Sequence, residues 1–452
     1  MSSELETLYP DLYKAIFIDR RNVLITGPGG CGKSYTIGLI KKEFSLRNIR
    51  CDVTSTTGVS AHSIGGTTIH RFGSIKLGDK PLSNIINYIK SSPDRVNRWK
   101  QCDVLVIDEV SMLGGNTLSL LSEVAQLIRY GKRGIRSFVK SNNKVPPFGG
   151  IQIIFSADFM QLLPVNDVLA FKSNVWTDLD LYKYRLETPY RYPDINHFNL
   201  LSRVRVGEFT KDDIEALRSR VKAYEEYKFN EFNNKLKCNI KPTRIYPLKR
   251  DVDSINMSEL EKLDGDSICY EADDTIIIKT TKEGKPMISP SELNEIEYME
   301  YMDSIIPREI ILKPGCQVML TKNLSVEDGL VNGSRGVVDE CTDTGVVVRF
   351  KCGIVCNISP EQYEYEDDNV NVIRHQFPLV LAWSMTIHKS QGSTLDYAII
   401  DLGTSLFAEN MGYVALSRCK TLDGIFIVNL IPERIRPNKE SLEFEMSLRE
   451  NK

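Results

Sequence analysis

Gly27-Pro28-Gly29-Gly30-Cys31-Gly32-Lys33-Ser34 decides the fold of this chain. Glycines at these spacings let consecutive backbone amides converge on a phosphate, an approach that β-carbons would obstruct. Lys33 supplies a point charge for the outer phosphates, and the Ser34 hydroxyl can join a Mg²⁺ shell. The apolar run Val23-Leu24-Ile25 before the loop reads as a strand. Tyr35 to Phe44 after it reads as a helix whose N-terminus faces the anion. Strand, glycine loop and helix in that order are the context a nucleoside triphosphate site requires.

Working outward, Val104-Leu105-Val106-Ile107 is a second buried-strand run, and it ends at Asp108-Glu109. A carboxylate at the C-terminal edge of a parallel strand stands where such sheets bind ligands. Asp108 is suited to holding Mg²⁺ and Glu109 to polarising the attacking water, which makes the chain an NTP hydrolase. A third edge, Ile151 to Phe155, leads into Ser156-Ala157-Asp158-Phe159-Met160-Gln161, where Gln161 could sense the terminal phosphate, although a glutamine in a loop is more often structural.

Composition sets outer bounds. The chain has 452 residues, 42% hydrophobic and 26% charged, ordinary values for two or three globular domains. Its net charge of −3 supplies no global basic field, so nucleic acid would need a local groove. Ten scattered cysteines form no framework, as in a reducing compartment. No apolar run is long enough for a membrane span, and the acidic start Met1-Ser2-Ser3-Glu4 carries no signal pattern. These features lead us to expect a soluble intracellular protein with no membrane partner.

Residues from about 20 to 187 alternate β-branched runs with helical stretches, which predicts a parallel sheet covered on both faces. Lys211 to Lys237 reads as a solvated helical hairpin. A second strand-and-helix pattern begins near Lys241-Pro242-Thr243 and breaks off after Asp266. From there to about 370, short strands punctuated by Gly329, Gly333, Gly345 and Gly353 suggest a small β-barrel. The acidic run Glu361–Asp368 reads as a solvated loop. Alternating α/β character then returns to the end. The expected fold class is therefore α/β, with one P-loop domain followed by a second that carries an inserted small β-barrel.

Two arginines fit the role of fingers on a transferring phosphoryl group: Arg191 in Pro189-Tyr190-Arg191-Tyr192 and Arg418 in Tyr413-Val414-Ala415-Leu416-Ser417-Arg418. Either could equally form a surface ion pair. Polynucleotide contacts are suggested by Thr56, Thr57, His70, Phe72, His388, Lys389, Ser390 and Thr394. Hydroxyls and one lysine suit contacts to phosphates, and His70, Phe72 and His388 could stack on bases. Turn chemistry and core packing explain the same residue types, so the residues alone leave nucleic-acid binding open.

The motifs as an ordered set resemble the PIF-like DNA helicases of superfamily one B. They are LITGPGGCGKS (24–34), TSTTGVSAHSIGGTTIHRF (54–72), VLVIDEVSML (104–113), FGGIQIIFSADFMQLLPV (148–165), PYRY (189–192), GLVNGSRGVV (329–338), FPLVLAWSMTIHKSQGSTLD (377–396) and YVALSR (413–418). The stretch after VLVIDEVSML, up to about Tyr130, takes the place of the family's signature helix. The resemblance implies two RecA-like lobes, here 1–187 and 188–266 with 371–452, and an inserted barrel at 267–370. It implies a strand-splitting pin within about 72–100. It also implies ATP with Mg²⁺, bound by residues 27–34, Asp108, Gln161 and Gly392. Lys33, Glu109, Gln161, Arg191 and Arg418 would be catalytic, and His388, Lys389, Ser390 and Thr394 would couple nucleotide to strand. The implied enzyme moves 5′ to 3′ on single-stranded DNA and unwinds forked or tailed duplex, as a monomer that can meet replication or recombination proteins. Where the family carries an adenine-reading glutamine, this chain has Tyr9-Pro10-Asp11-Leu12-Tyr13. An RNA helicase, or an ATP-gated single-strand binder that does not unwind, would share these features.

Overall fold

A computed structural model describes residues 3–450, except 76–80, 233–239, 282–283, 291–292, 294, 326 and 367–369. The chain forms two compact units, one of residues 1–208 with 436–452 and one of residues 209–435.

The first unit is built on strands β1 (Val23–Thr26), β2 (Cys51–Ser55), β3 (Thr67–Thr68), β4 (Val104–Asp108), β5 (Gln152–Ala157) and β6 (Tyr182–Arg185). They form one parallel sheet in the order β3-β2-β4-β5-β1-β6. Strands buried on both faces favour apolar residues on both, which is why β1 and β4 read as apolar runs up to Thr26 and Asp108 at their ends. Side chains alternate between two cores. Val23, Ile25, Val104, Val106 and Ile154 meet Ile37, Ile40 and Phe44 of helix Lys33–Leu46. Leu24, Leu105, Ile107, Ile153 and Phe155 face the other way, toward Leu118, Leu121, Val124 and Ile128 of helix Gly115–Arg129.

The unit runs past the expected boundary at 187, and the last residues return to it instead of staying with the second domain. The reason is packing. Phe444, on helix Lys439–Glu450, stacks on Phe171 with ring centroids 4.0 Å apart and meets Phe159 at 5.1 Å. Arg205, near the end of helix Ile195–Val206, pairs with Asp158 after β5.

The second unit holds a four-stranded parallel sheet in the order 384–386, 243–246, 398–402, 425–430. Between its strands in sequence lies a five-stranded antiparallel sheet, ordered 355–358, 345–350, 335–342, 317–320, 379–381. Its outer strands, Val355–Ile358 and Leu379–Leu381, do not pair with each other, so the expected barrel is an open sheet among the described residues. Three further strands, 361–366, 370–376 and 273–278, form a separate sheet. There the acidic run expected as a loop is strand Glu361–Glu366, because Tyr363 and Tyr365 alternate with its glutamates and turn onto the cluster around Met302. Arg374 secures this part: fully buried, it bonds Asp274 at 2.7 Å and Asp303 at 2.6 Å. The expected hairpin after Lys211 is one helix, Lys211–Phe232, with 233–237 outside the described residues.

Candidate nucleotide site

Three of the glycines in the loop after β1 have positive φ: Gly27 at 147°, Gly30 at 86° and Gly32 at 84°. A β-carbon on Gly27 would stand 2.3 Å from the Leu186 carbonyl oxygen, so the loop lies against the end of β6. Gly32 begins helix Lys33–Leu46, and no side chain caps it. The unpaired amides of that first turn and the helix dipole suit an anion. Lys33 donates from Nζ to the carbonyls of Gly27 at 2.7 Å and Pro28 at 3.0 Å, folding over the loop. Ser34 is exposed on the first turn, Gly29 is buried, and Cys31 is a buried thiol whose pKa burial pushes up.

The segment carrying Arg191 closes on this loop. The amides of Tyr190 and Arg191 both donate to the Gly30 carbonyl, at 2.9 and 3.1 Å. A β-carbon on Gly30 would lie 2.6 Å from the Arg191 β-carbon, and one on Gly32 would lie 3.2 Å from the Tyr190 ring.

β4 and β5 bring the acidic and polar groups to the same sheet edge. Asp108 is buried at the end of β4, and the Glu109 amide donates to its Oδ1 at 2.9 Å. Burial pushes the Asp108 carboxyl up, against the Ser156 hydroxyl, the Glu109 amide and the Lys33 charge, which pull it down. Glu109 adopts a left-handed conformation with φ 54°, a strain that sets its side chain apart from the strand's alternation. Its carbonyl accepts the Thr56 hydroxyl at 3.2 Å. Among the described residues, the buried hydroxyls of Thr26, at the end of β1, and Ser111, shortly after Asp108, lack hydrogen-bond partners. A buried carboxylate with orphaned hydroxyls fits a hydrated Mg²⁺, which Ser34 and Asp108 would hold.

Gln161 is buried, and its Nε2 donates to Asp158 Oδ2 at 3.1 Å. Asp158 Oδ1 accepts from Arg205 Nε at 3.0 Å, from Arg205 Nη2 at 2.7 Å and from the Met160 amide at 3.2 Å. The guanidinium of Arg205 and the charge of Lys33 outweigh burial and hold the Asp158 carboxyl down at about 2. Arg205 Nη2 also meets Glu445 at 3.1 Å, and Glu445 pairs with Arg185. Asp158 lay within a quoted motif but had no assigned role. Arg205, Arg185 and Glu445 had no signal in sequence, because only folding gathers them.

Other expected residues fare differently. Phe72 is not a base-stacking group: it is buried in the core, edge-on to Trp99 at 4.9 Å. His70 is half-buried, and desolvation lowers its pKa. Thr57 caps the helix Gly58–Ser63, accepting from the Ser60 amide at 3.2 Å. Within the pin region, 76–80 lie outside the described residues.

In the second unit, His388, Lys389, Gly392 and Thr394 are exposed. Thr386 caps their short helix by accepting the Lys389 amide at 3.1 Å. Desolvation of its ammonium and the nearby Lys249 charge lower the Lys389 pKa, and Lys249 is a basic neighbour that no motif marked. Ser390 is buried and donates to the Ile387 carbonyl, so its hydroxyl does not face a strand. Arg418 is also buried. It donates to the carbonyls of Val414 at 2.8 Å and Ser390 at 3.3 Å and to the Ser417 hydroxyl at 2.6 Å. The arginine expected as a finger thus bonds within its own unit, where it links the His388 segment to helix Met411–Leu416.

A family model described as PIF1-like helicase matches residues 1–210, and one described as the 2B domain of DNA helicase Pif1 matches 301–340. The crystal structure of Pif1 helicase from Candida albicans is similar at a TM-score of 0.76 and 30% identity, with 99% of each chain covered. The chain belongs to the PIF1-like helicase family. A Xenopus laevis protein named ATP-dependent DNA helicase PIF1 is 34% identical over 436 residues, 94% of this chain. This PIF1-like chain spans 61% of the length of that relative. The Bacteroides sp Pif1 crystallised in complex with ADP-AlF4 shares the fold, with a TM-score of 0.73 over 100% of this chain and 98% of its own at 24% identity.

Proposed function

We propose that this chain is an ATP-dependent DNA helicase that moves 5′ to 3′ on single-stranded DNA and opens forked or tailed duplex. One observation carries the reading. Lys33, Asp108 with Glu109, and Gln161 follow β1, β4 and β5, which are neighbours in one sheet, and Arg191 packs on the same glycine loop. That set supplies phosphate grip, metal ligand, water activation, phosphate sensing and a compensating cation.

Lys33 would leave the Gly27 and Pro28 carbonyls for the outer phosphates, and Mg²⁺, held by Ser34 and Asp108, would offset their charge. Glu109 would orient the attacking water, with Arg191 against the transferring group. Within the second unit, Arg418 would hold, through its bonds to Val414 and Ser390, the segment whose His388, Lys389 and Thr394 would meet the strand. Lys389 with Lys249 offers a phosphate contact for the strand, which carries no sequence preference. The names of the relatives support DNA over RNA as the substrate.

The test is strand displacement on duplexes with a 5′ or a 3′ single-stranded tail, with and without ATP. The expected result is ATP-dependent unwinding of the 5′-tailed duplex alone. ATPase stimulation without displacement would favour an ATP-gated binder, and stronger stimulation by single-stranded RNA would favour an RNA helicase.

A further inference from the structure

We infer that Glu445, on the C-terminal helix Lys439–Glu450, is a positioning residue that sets the γ-phosphate sensor Gln161 through Arg205 and Asp158. This rests on the reading of Gln161 given under Proposed function.

The chain of contacts is continuous and buried. Glu445 meets Arg205 at 3.1 Å, Arg205 grips Asp158 at 2.7 Å, and Asp158 receives the Gln161 amide at 3.1 Å. The side chains of Arg205, Asp158 and Glu445 are at most 1% exposed. Arg185, the other cation on Glu445, comes from the end of β6, beside the β1 strand that leads into the glycine loop. Two buried carboxylates, Asp158 and Glu445, thus meet the guanidiniums of Arg205 and Arg185 inside the first unit, and Arg185 also reaches the exposed Glu187 at 3.5 Å.

Such a cluster is costly to desolvate, and an apolar core would hold the helix at least as firmly. Glu445 even keeps one oxygen, Oε2, without a hydrogen-bond partner. The aromatic packing of Phe444 on Phe159 and Phe171 already supplies adhesion. What the ionic chain adds is direction. Gln161 is four residues past the end of β5, and both amide protons it can present are steered by the carboxylate that accepts one of them. Met160 and Gln161 are also tied to Asp158 through their backbone amides, at 3.2 and 2.9 Å. Phe159 and Asp158 are thus both held from the C-terminal helix, one by ring contact and one through Arg205.

The test is a double-mutant cycle on the full chain, measuring ATP turnover with a single-stranded oligodeoxynucleotide. Glu445→Gln should lower kcat about tenfold and change KM for ATP by less than about twofold. Gln161→Ala should also lower kcat. The double variant should be no slower than Gln161→Ala, because both changes break one pathway. Hydrogen exchange of the segment around Met160 and Gln161 should rise in Glu445→Gln and stay at the parent level elsewhere in β1 to β5. If Glu445→Gln fails to fold, Glu445→Asp, which keeps the charge at a shorter reach, enters the same cycle. Losses that multiply in the double variant would overturn the positioning role while leaving the sensor intact. Gln161→Ala turning over at the parent rate would overturn the sensor reading, and the positioning role with it.

Discussion

Arg191 lies directly across Gly30: its amide donates to the Gly30 carbonyl at 3.1 Å, and a β-carbon on that glycine would stand 2.6 Å from its own. The glycine therefore serves two constraints, a φ of 86° and the closeness of an arginine to the phosphate loop. Gly30→Ala should displace Arg191 and strain the loop, at about 1–3 kcal/mol of stability. We expect kcat/KM for ATP to fall at least about tenfold, read by steady-state ATPase alongside a thermal melt. An alanine variant with parent turnover would show that the contact is not needed.

Lys33→Ala and Glu109→Gln should separate binding from chemistry. The first removes the phosphate charge and should abolish turnover. The second should bind a fluorescent ATP analogue within a few-fold of the parent but hydrolyse ATP about 10²–10⁴-fold more slowly, the usual worth of a general base. Glu109→Gln at the parent rate would move the base elsewhere.

Asp108 is a buried carboxylate whose pKa burial raises. A buried charge with no cationic partner at hydrogen-bond distance among the described residues costs stability, and Asp108→Asn relieves that cost while removing the proposed metal ligand. The expected result is a Tm raised by a few degrees without Mg²⁺, together with loss of hydrolysis. A lowered Tm would mean that the carboxylate is held by contacts stronger than its desolvation.

Asp158 carries the opposite sign. Its folded pKa, about 2, lies below the ordinary value of 3.8, so it contributes stability above pH 4 that is lost as pH falls toward 2. Acid unfolding followed by circular dichroism should therefore steepen between pH 4 and 2. Asp158→Asn should flatten that limb and lower stability at neutral pH by about 3–5 kcal/mol, because Arg205 loses a buried partner. A limb of unchanged slope would assign it to other carboxylates.

Phe72→Ala should cost about 3–5 kcal/mol as a core truncation. Against Trp99 and out of solvent, Phe72 has no face for a base. Affinity of the folded fraction for single-stranded DNA should stay within about twofold, measured by fluorescence anisotropy. A specific loss of affinity at parent stability would restore the stacking role.

Much of the site was legible because it rests on local backbone chemistry. Glycines at 27, 30 and 32 with positive φ, and an acid pair closing an apolar run, are written as short contiguous patterns. The helix Gly115–Arg129 is expected only through the family resemblance, and it buries Leu118, Leu121, Val124, Ala125 and Ile128. The misreadings share one cause: residue type says what a side chain can do, while its surroundings say which of those things it does. A phenylalanine in a motif packed as core, and a glutamate run with alternating tyrosines paired as a strand. An open sheet and a closed barrel are both short strands between glycines, and only the pairing of the outermost strands tells them apart.

Residue order alone laid out the glycine loop after an apolar strand that we propose as the triphosphate grip, since phosphate cradling needs a few consecutive residues and nothing distant. The meeting of Glu445, Arg205 and Asp158 behind Gln161, and the turning of Arg418 into its own unit, came from folding. Arg205 and Asp158 are 47 positions apart and Glu445 is far from both, while Arg418 bonds carbonyls 4 and 28 positions away that nothing in the sequence singles out. Burial, which makes an unmatched charge intolerable, is what selected among them.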